Sequence, residues 1–217
     1  MNITIENYLQ TIYSLFEINN NKGIKSIDIA KKLSISRPSV SAMVKRLVKE
    51  GYIIADRYSK IFLTDFGRNE ARKIMHKHRV IEVFLTDVHG HNVDNVHKEA
   101  HKLEHAFSDE SIEKLDSLLN NPKISPMGKR IPHNNNDGVK VMNMTLDKVK
   151  KGQTGRIIKV SGSGSLHKRI LDMGVVKGAK IKVEKVAPLG DPIEIKVKGY
   201  FLSLRKDEAK KIEVALE

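Results

Sequence analysis

The chain has 217 residues, 40% of them hydrophobic, no cysteine, and 39 lysines and arginines against 26 aspartates and glutamates, for a net charge of +13. That length and apolar content support one large or two to three small packed domains and exclude a wholly disordered chain. The lack of cysteine excludes disulfides and thiolate ligands, so any metal is held by nitrogen and oxygen. No apolar run approaches the ~18 residues of a membrane helix. The opening MNITIENYLQ lacks a basic-then-apolar signal, so a soluble cytoplasmic protein is expected. Charge is unevenly spread: residues 1–79 carry 15 basic against 7 acidic side chains, 80–140 carry 7 against 10, and 141–217 carry 17 against 9. Basic outer thirds around an acidic middle suggest separate modules with an anionic partner.

In the first module, Ile5, Tyr8, Leu9, Ile12, Leu15 and Phe16 recur at helical spacing. After the polar NNNKG, the stretch SIDIAKKLSISRPSVSAMVKRLVKEGYI reads as two helices joined by a tight turn. Ser26 is expected to cap the first, which buries Ile29, Ala30 and Leu33. Ser36 and Pro38 open the second, which buries Val40, Val44 and Leu47 and stops at Gly51. Two short apolar runs in YIIADRYSKIFLTDFG then predict a hairpin. Helix, helix–turn–helix and hairpin make a winged helix, whose second helix enters the major groove. Candidate DNA-contacting residues are Ser36, Arg37, Pro38, Ser39, Ala42, Met43, Lys45 and Arg46, with Arg57 to Lys60 as a wing tip against phosphate or the minor groove. The plainer alternative is a helical hairpin with a solvated basic face, but it leaves the order of turn, proline, glycine and wing unexplained.

Seven of the nine histidines fall between His76 and His105. A long helix is predicted from Thr64 to about His89–Gly90, with His78 and Glu82 one turn apart on one face; His76 points elsewhere and is expected to be solvated. His89 and His91 are expected in a solvated loop. On the next helix, VDNVHKEAHKLEHAFS, a 100° step per residue brings His97, His101, Glu104 and His105 within an arc of roughly 100°, while Val96, Ala100, Leu103 and Phe107 pack elsewhere. A lone helical histidine is usually solvated or buried in a core, but four potential ligands on one face point to metal. Imidazoles with a carboxylate suit Fe(II), and also Mn, Co, Ni or Zn. The H-x-x-E-H string at His101, Glu104 and His105 also occurs in inverted zinc peptidases, which need a larger catalytic scaffold and a further carboxylate ligand. A DNA-binding module upstream argues against an enzyme.

The segments IENYLQTIY, SRPSVSAMVKRLVKEGYI, KHRVIEVFLTD, VHKEAHKLEHAFSDE and NPKISPMGKRIP, within residues 3–132, resemble the diphtheria toxin repressor family of metal-dependent transcription repressors. The resemblance implies one metal site at His78, Glu82 and His97, and a second at Asn7, His101, Glu104 and His105. It also implies a homodimer formed through the middle helices, whose two heads read a palindromic double-stranded DNA operator. Iron-responsive relatives place sulfur ligands at the positions of Asn7 and His101, and manganese-responsive ones tend to place carboxylates there. An amide and an imidazole match neither pattern. Fe(II) is favoured as corepressor, Mn(II) next, with Zn, Co or Ni accepted in vitro.

RIPHNNNDGVKV reads as a linker. The remainder alternates short strands (Ile181/Val183; Ile193/Ile195/Val197) with glycine turns around a short helix, LHKRILDMG, as in a small SH3-like β-barrel. It resembles the FeoA-type domain in RILDMGVVKGAKIKV, APLGDPIEIKV and LRKDEAKKIEV. In three-domain relatives this module can add a ligand near His78. The corresponding SGSGSLH offers Ser163, Ser165 and His167, and His167 is read as a surface histidine. GSGS lacks the strand–helix context of a phosphate loop. The expected fold is α+β: winged helix 1–64, all-α metal-binding and dimerisation domain 65–132, linker 133–143 and SH3-like domain 144–217. The expected function is a metal-dependent repressor of metal homeostasis and not an enzyme. A metal buffer or transport accessory is the alternative.

Overall fold

The computed structural model describes residues 2–19, 22–55, 60–133 and 143–216. Its contacts divide the chain into two compact units, Met1–His78 and Arg79–Glu217.

In the first unit, helix α1 (Ile3–Ile18) starts at Asn2, whose side-chain oxygen accepts from the Thr4 N–H at 2.8 Å. It buries Ile5, Tyr8, Leu9, Ile12 and Phe16, the expected face with Leu15 partly covered. Strand β1 (Ile24–Lys25) follows, then α2 (Ser26–Leu33) and α3 (Arg37–Lys49). The expected cap at Ser26 is displaced by one residue. Lys25 is held extended by its pairing with Lys60 and takes the cap position, and its N–H donates to Asp28 at 3.3 Å. Ser34 turns left-handed (φ +56°) between the helices, and Ser36 Oγ accepts from the Ser39 N–H at 3.3 Å to open α3, with Pro38 in its first turn. Val40 and Leu47 are fully buried, with Met43 and Val44 partly covered on the same core. Gly51 (φ +79°) lies just past the end of α3, a conformation that glycine adopts without a Cβ clash.

Strands β2 (Ile53–Ala55) and β3 (Lys60–Leu63) form the wing, antiparallel with Ile53 opposite Leu63. Its tip, residues 56–59, lies outside the described residues, and Arg57 with it. The sheet has three strands in the order β1-β3-β2, one more than the sequence suggested. A two-residue strand is too short to leave a periodic signal.

Helix α4 (Asp65–Asp87) begins in the first unit and continues unbroken into the second. Thr64 caps it, accepting from the Gly67 N–H at 2.9 Å and donating to the Gly51 carbonyl at 2.6 Å. A side chain at Gly67 would overlap the Tyr52 carbonyl, so the helix start and the wing approach closely only because this residue has none. Helices α5 (Val93–Leu103) and α6 (Asp109–Leu118) are capped by Asn92 and Ser108. With α4 they bury Val80, Ile81, Val83, Leu85, Val96, Ala100, Ile112 and Ile131.

The C-terminal part is β-rich and SH3-like: β4 (Asn143–Thr145), β5 (Thr154–Val160), α7 (Gly164–Asp172), β6 (Lys180–Val186), β7 (Ile193–Val197), β8 (Tyr200–Leu204), α8 (Lys206–Ala209) and β9 (Ile212–Leu216). The strands run antiparallel in the order β4-β9-β5-β6-β7-β8. Ile181, Val183, Ile193, Ile195 and Val197 alternate inward, as the pattern predicted. This module docks on the helices through Arg156. Its guanidinium donates to both carboxylate oxygens of Asp87 (3.0 and 2.7 Å) and to the carbonyls of Gly178 (3.0 Å) and Ile124 (2.9 Å). At two further points glycine makes room: a side chain at Gly128 would overlap Ile158, and one at Gly178 would crowd Val93.

Candidate metal centre and nucleic-acid interface

Because α4 is one continuous helix, His78 stands one turn before Glu82 on it. Glu82 is 3% exposed, and its carboxylate meets His97 Nδ1 on α5 at 3.0 Å. One turn further along α5, His101 Nδ1 meets Glu104 Oε1 at 2.7 Å, and His105 Nε2 lies 3.5 Å from the same oxygen. Glu104 is 2% exposed. His78 is itself buried.

The helix that presents these residues ends earlier than its periodicity suggested. Helix α5 stops at Leu103, Glu104 is its C-cap with helical backbone angles, and His105 lies in the following turn. The donors still gather because a turn keeps Glu104 beside both of its neighbours. Asn7, on α1, has its side-chain oxygen buried with no hydrogen-bond partner among the described residues. A carboxylate taken out of water is costly unless a positive charge compensates it. Two buried glutamates surrounded by imidazole nitrogens therefore fit a divalent cation, with the nitrogen and oxygen donors that borderline metals take.

On α3 the residues Ser36, Arg37, Pro38, Ser39, Ala42, Lys45 and Arg46 are exposed, with Met43 half-buried against the core. Arg46 is engaged by Glu50 one turn on, at 2.7 Å. Lys60 is exposed at the start of β3.

Three stretches match known domains: residues 2–61 the iron dependent repressor N-terminal DNA binding domain, 64–133 the iron dependent repressor metal binding and dimerisation domain, and 144–216 the FeoA domain. The iron-dependent repressor IdeR of Mycobacterium tuberculosis is 32% identical over 212 residues, covering 91% of this chain and 90% of that protein. The chain belongs to the iron-dependent repressor family. These are metal-dependent transcriptional repressors, and the chain has their DNA-binding and dimerisation domains. An uncharacterised HTH-type transcriptional regulator of Methanocaldococcus jannaschii is 44% identical over 119 residues, 55% of this chain and 94% of that one. Among solved structures, the manganese regulator SloR is similar at 31% identity and a TM-score of 0.58, over 98% of both chains.

Within this iron-dependent repressor fold several features escaped the sequence. Arg156 gave no sign of its role, because nothing in a strand pattern tells a buried arginine from an exposed one. His76, expected in solvent, is half-buried. His133, expected at the head of a linker, donates from Nε2 to the Pro122 carbonyl at 3.0 Å. His89 and His91 stack on each other at 4.7 Å after α4. His167 on α7 is half-buried, and its Nδ1 has no hydrogen-bond partner among the described residues.

Proposed function

We propose that this repressor senses Fe(II), with Mn(II) as the next candidate, and that Zn, Co or Ni substitute in vitro. His78, Glu82 and His97 would hold one ion, and His101, Glu104 and His105 with Asn7 the other. The observation that carries this reading is the pair of glutamates, Glu82 and Glu104, buried to 3% and 2% exposure against imidazole nitrogens. Bound there, the ion supplies positive charge to the two buried carboxylates. The exposed face of α3, from Ser36 to Arg46, reads bases and phosphates, and two such heads in a homodimer read a palindromic operator with half-sites a whole number of turns apart. Metal tightens DNA binding only as far as it favours the DNA-competent arrangement, and DNA tightens metal binding by the same factor. The protein acts in the cytoplasm without catalysis, and the divisions 1–64, 65–132 and 144–217 are its working modules.

The test is an anaerobic DNA-shift titration on the chain's own upstream region at one fixed salt concentration, with Fe(II), Mn(II), Zn(II) or chelator. Fe(II) is expected to produce the shift at the lowest free concentration, and chelator to abolish it. In His101→Ala the metal response should vanish while far-UV circular dichroism stays unchanged. An unchanged metal response in His101→Ala refutes the ligand assignment. A shift indifferent to metal in the unsubstituted protein refutes the sensing role.

A further inference from the structure

We propose that the second unit holds a binding site for a small, multiply charged anion where the α4–α5 turn meets the C-terminal module. A cavity of about 830 Å³ opens there, a volume typical of small-molecule sites. Its helical side is built from Thr86, Asp87 and residues 90–94, the module's side from residues 176–180, and Lys198 reaches in from the turn between β7 and β8. Of the two aspartates that line it, Asp87 is taken by Arg156, which holds both carboxylate oxygens. Asp94 then stands against Lys177, Lys180 and Lys198, and it is 75% exposed, 3.7 Å from Lys177. Three ammonium groups around one cavity repel each other, and walls of low dielectric concentrate their field. An anion with two or more charges relieves that repulsion, whereas a neutral or cationic ligand does not.

The placing of Lys198 points the same way. Val197 pairs with Tyr200, so Lys198 and Gly199 make a two-residue turn, both with positive φ (+47° and +91°). This is a type I′ turn, whose first position suits asparagine, aspartate or glycine, and a lysine there carries a backbone cost. Its side chain is also guided. A Cβ at Gly174 would come within 3.1 Å of Lys198 Cδ, so the lysine stem lies across a residue that has none. Beside it Tyr200 donates its hydroxyl hydrogen to the Met173 carbonyl. Ile181 pairs with Val197, which sets Lys180 and Lys198 next to one another on adjacent strands, an arrangement that is unfavourable without a counter-charge. A lysine that served only solubility would gain nothing from the strained turn or from that neighbour.

The ammonium groups, the His91 imidazole and the Asn92 amide suit phosphoryl and carboxylate oxygens alike, and the volume admits more than a single phosphate. Thr86 and Val93 each stand one turn from Glu82 and His97 on their helices, so a ligand here bears on the same helix pair.

Titration calorimetry of the full-length, metal-stripped protein at fixed ionic strength tests the proposal, with inorganic pyrophosphate in one arm and citrate in the other. One equivalent per chain should bind in at least one arm, and the tighter probe tells a phosphoryl from a polycarboxylate ligand. Lys180→Gln and Lys198→Gln should each weaken that binding about tenfold or more. Lys185→Gln removes the same charge from an exposed position of β6 outside the cavity and should leave the affinity within about twofold. Circular dichroism confirms that the variants fold. No saturable binding of either probe overturns the site. So does equal weakening by all three substitutions, which would report only the overall charge of the chain, or binding that Lys180→Gln and Lys198→Gln leave unchanged.

Discussion

Removing either end of the Arg156–Asp87 pair should destabilise the second unit, but by unequal amounts. The Arg156 side chain is 1% exposed and that of Asp87 33%, so the two partners face different fates when left alone. Arg156→Met keeps much of the buried stem and deletes the charge. Asp87 can then recover water, but the carbonyls of Ile124 and Gly178 lose this donor. At about 1 kcal/mol or somewhat more for each buried acceptor, and little for the rehydrated carboxylate, the cost is about 2–3 kcal/mol. Asp87→Ala instead strands a guanidinium in the interior, for which about 3–5 kcal/mol is the usual penalty. For a unit of this size each kcal/mol lowers the melting temperature by about 2–4 °C. Calorimetry of the metal-free protein should therefore place Asp87→Ala below Arg156→Met, and both below the unsubstituted chain. The double variant should cost less than the two singles together, because they share one interaction. If Asp87→Ala proves the milder change, or both shifts are under about 2 °C, the reasoning from burial is wrong.

Gly67→Ala should cost about 2–4 kcal/mol in the first unit, since the added methyl meets the backbone carbonyl of Tyr52, which cannot rotate away; a thermal melt reads it directly. Ser36→Ala removes the cap of α3 and should lower stability by about 1 kcal/mol in urea titrations, with weaker DNA binding beside it. Lys45→Ala should weaken binding to all DNA sequences alike and reduce the slope of log affinity against log salt by about 1, whereas a base-reading residue would change sequence preference instead. Glu104→Gln should abolish binding at one metal site, as metal content per chain will show.

Much of the architecture was legible before the structure because it rests on local rules. The apolar face of α1, the cap at Ser36, the stop at Gly51 and the inward alternation of β6 and β7 each follow from a few neighbouring residues. The His101–Glu104 pair was legible for the same reason, the two lying one turn apart, whereas Glu82 and His97 meet across two helices. What stayed hidden depends on contacts distant in sequence. Strand β1 exists only because Lys60 and Ile61 arrive to pair with it. Helix α5 stops before its apolar and polar pattern does, which moved His105 into a turn. His133 looked like linker because its neighbours are asparagines, yet its partners are Pro122 and Asp116. His76 was misjudged because helical phase alone cannot tell solvent from a half-buried face.

The joint between the helices and the C-terminal module bears on how such proteins can be recombined. Gly128 on the helical side leaves room for Ile158, and Gly178 on the other side leaves room for Val93, so each surface is cut to fit the other. A FeoA-type module grafted from elsewhere would fold on its own sheet contacts, yet any side chain in place of Gly178 would hold it off the helices. Chimaeras of this family should therefore be cut so that Gly128, Arg156, Ile158 and Gly178 travel with their partners, making the transferable piece the whole of Arg79–Glu217 rather than the SH3-like module within it.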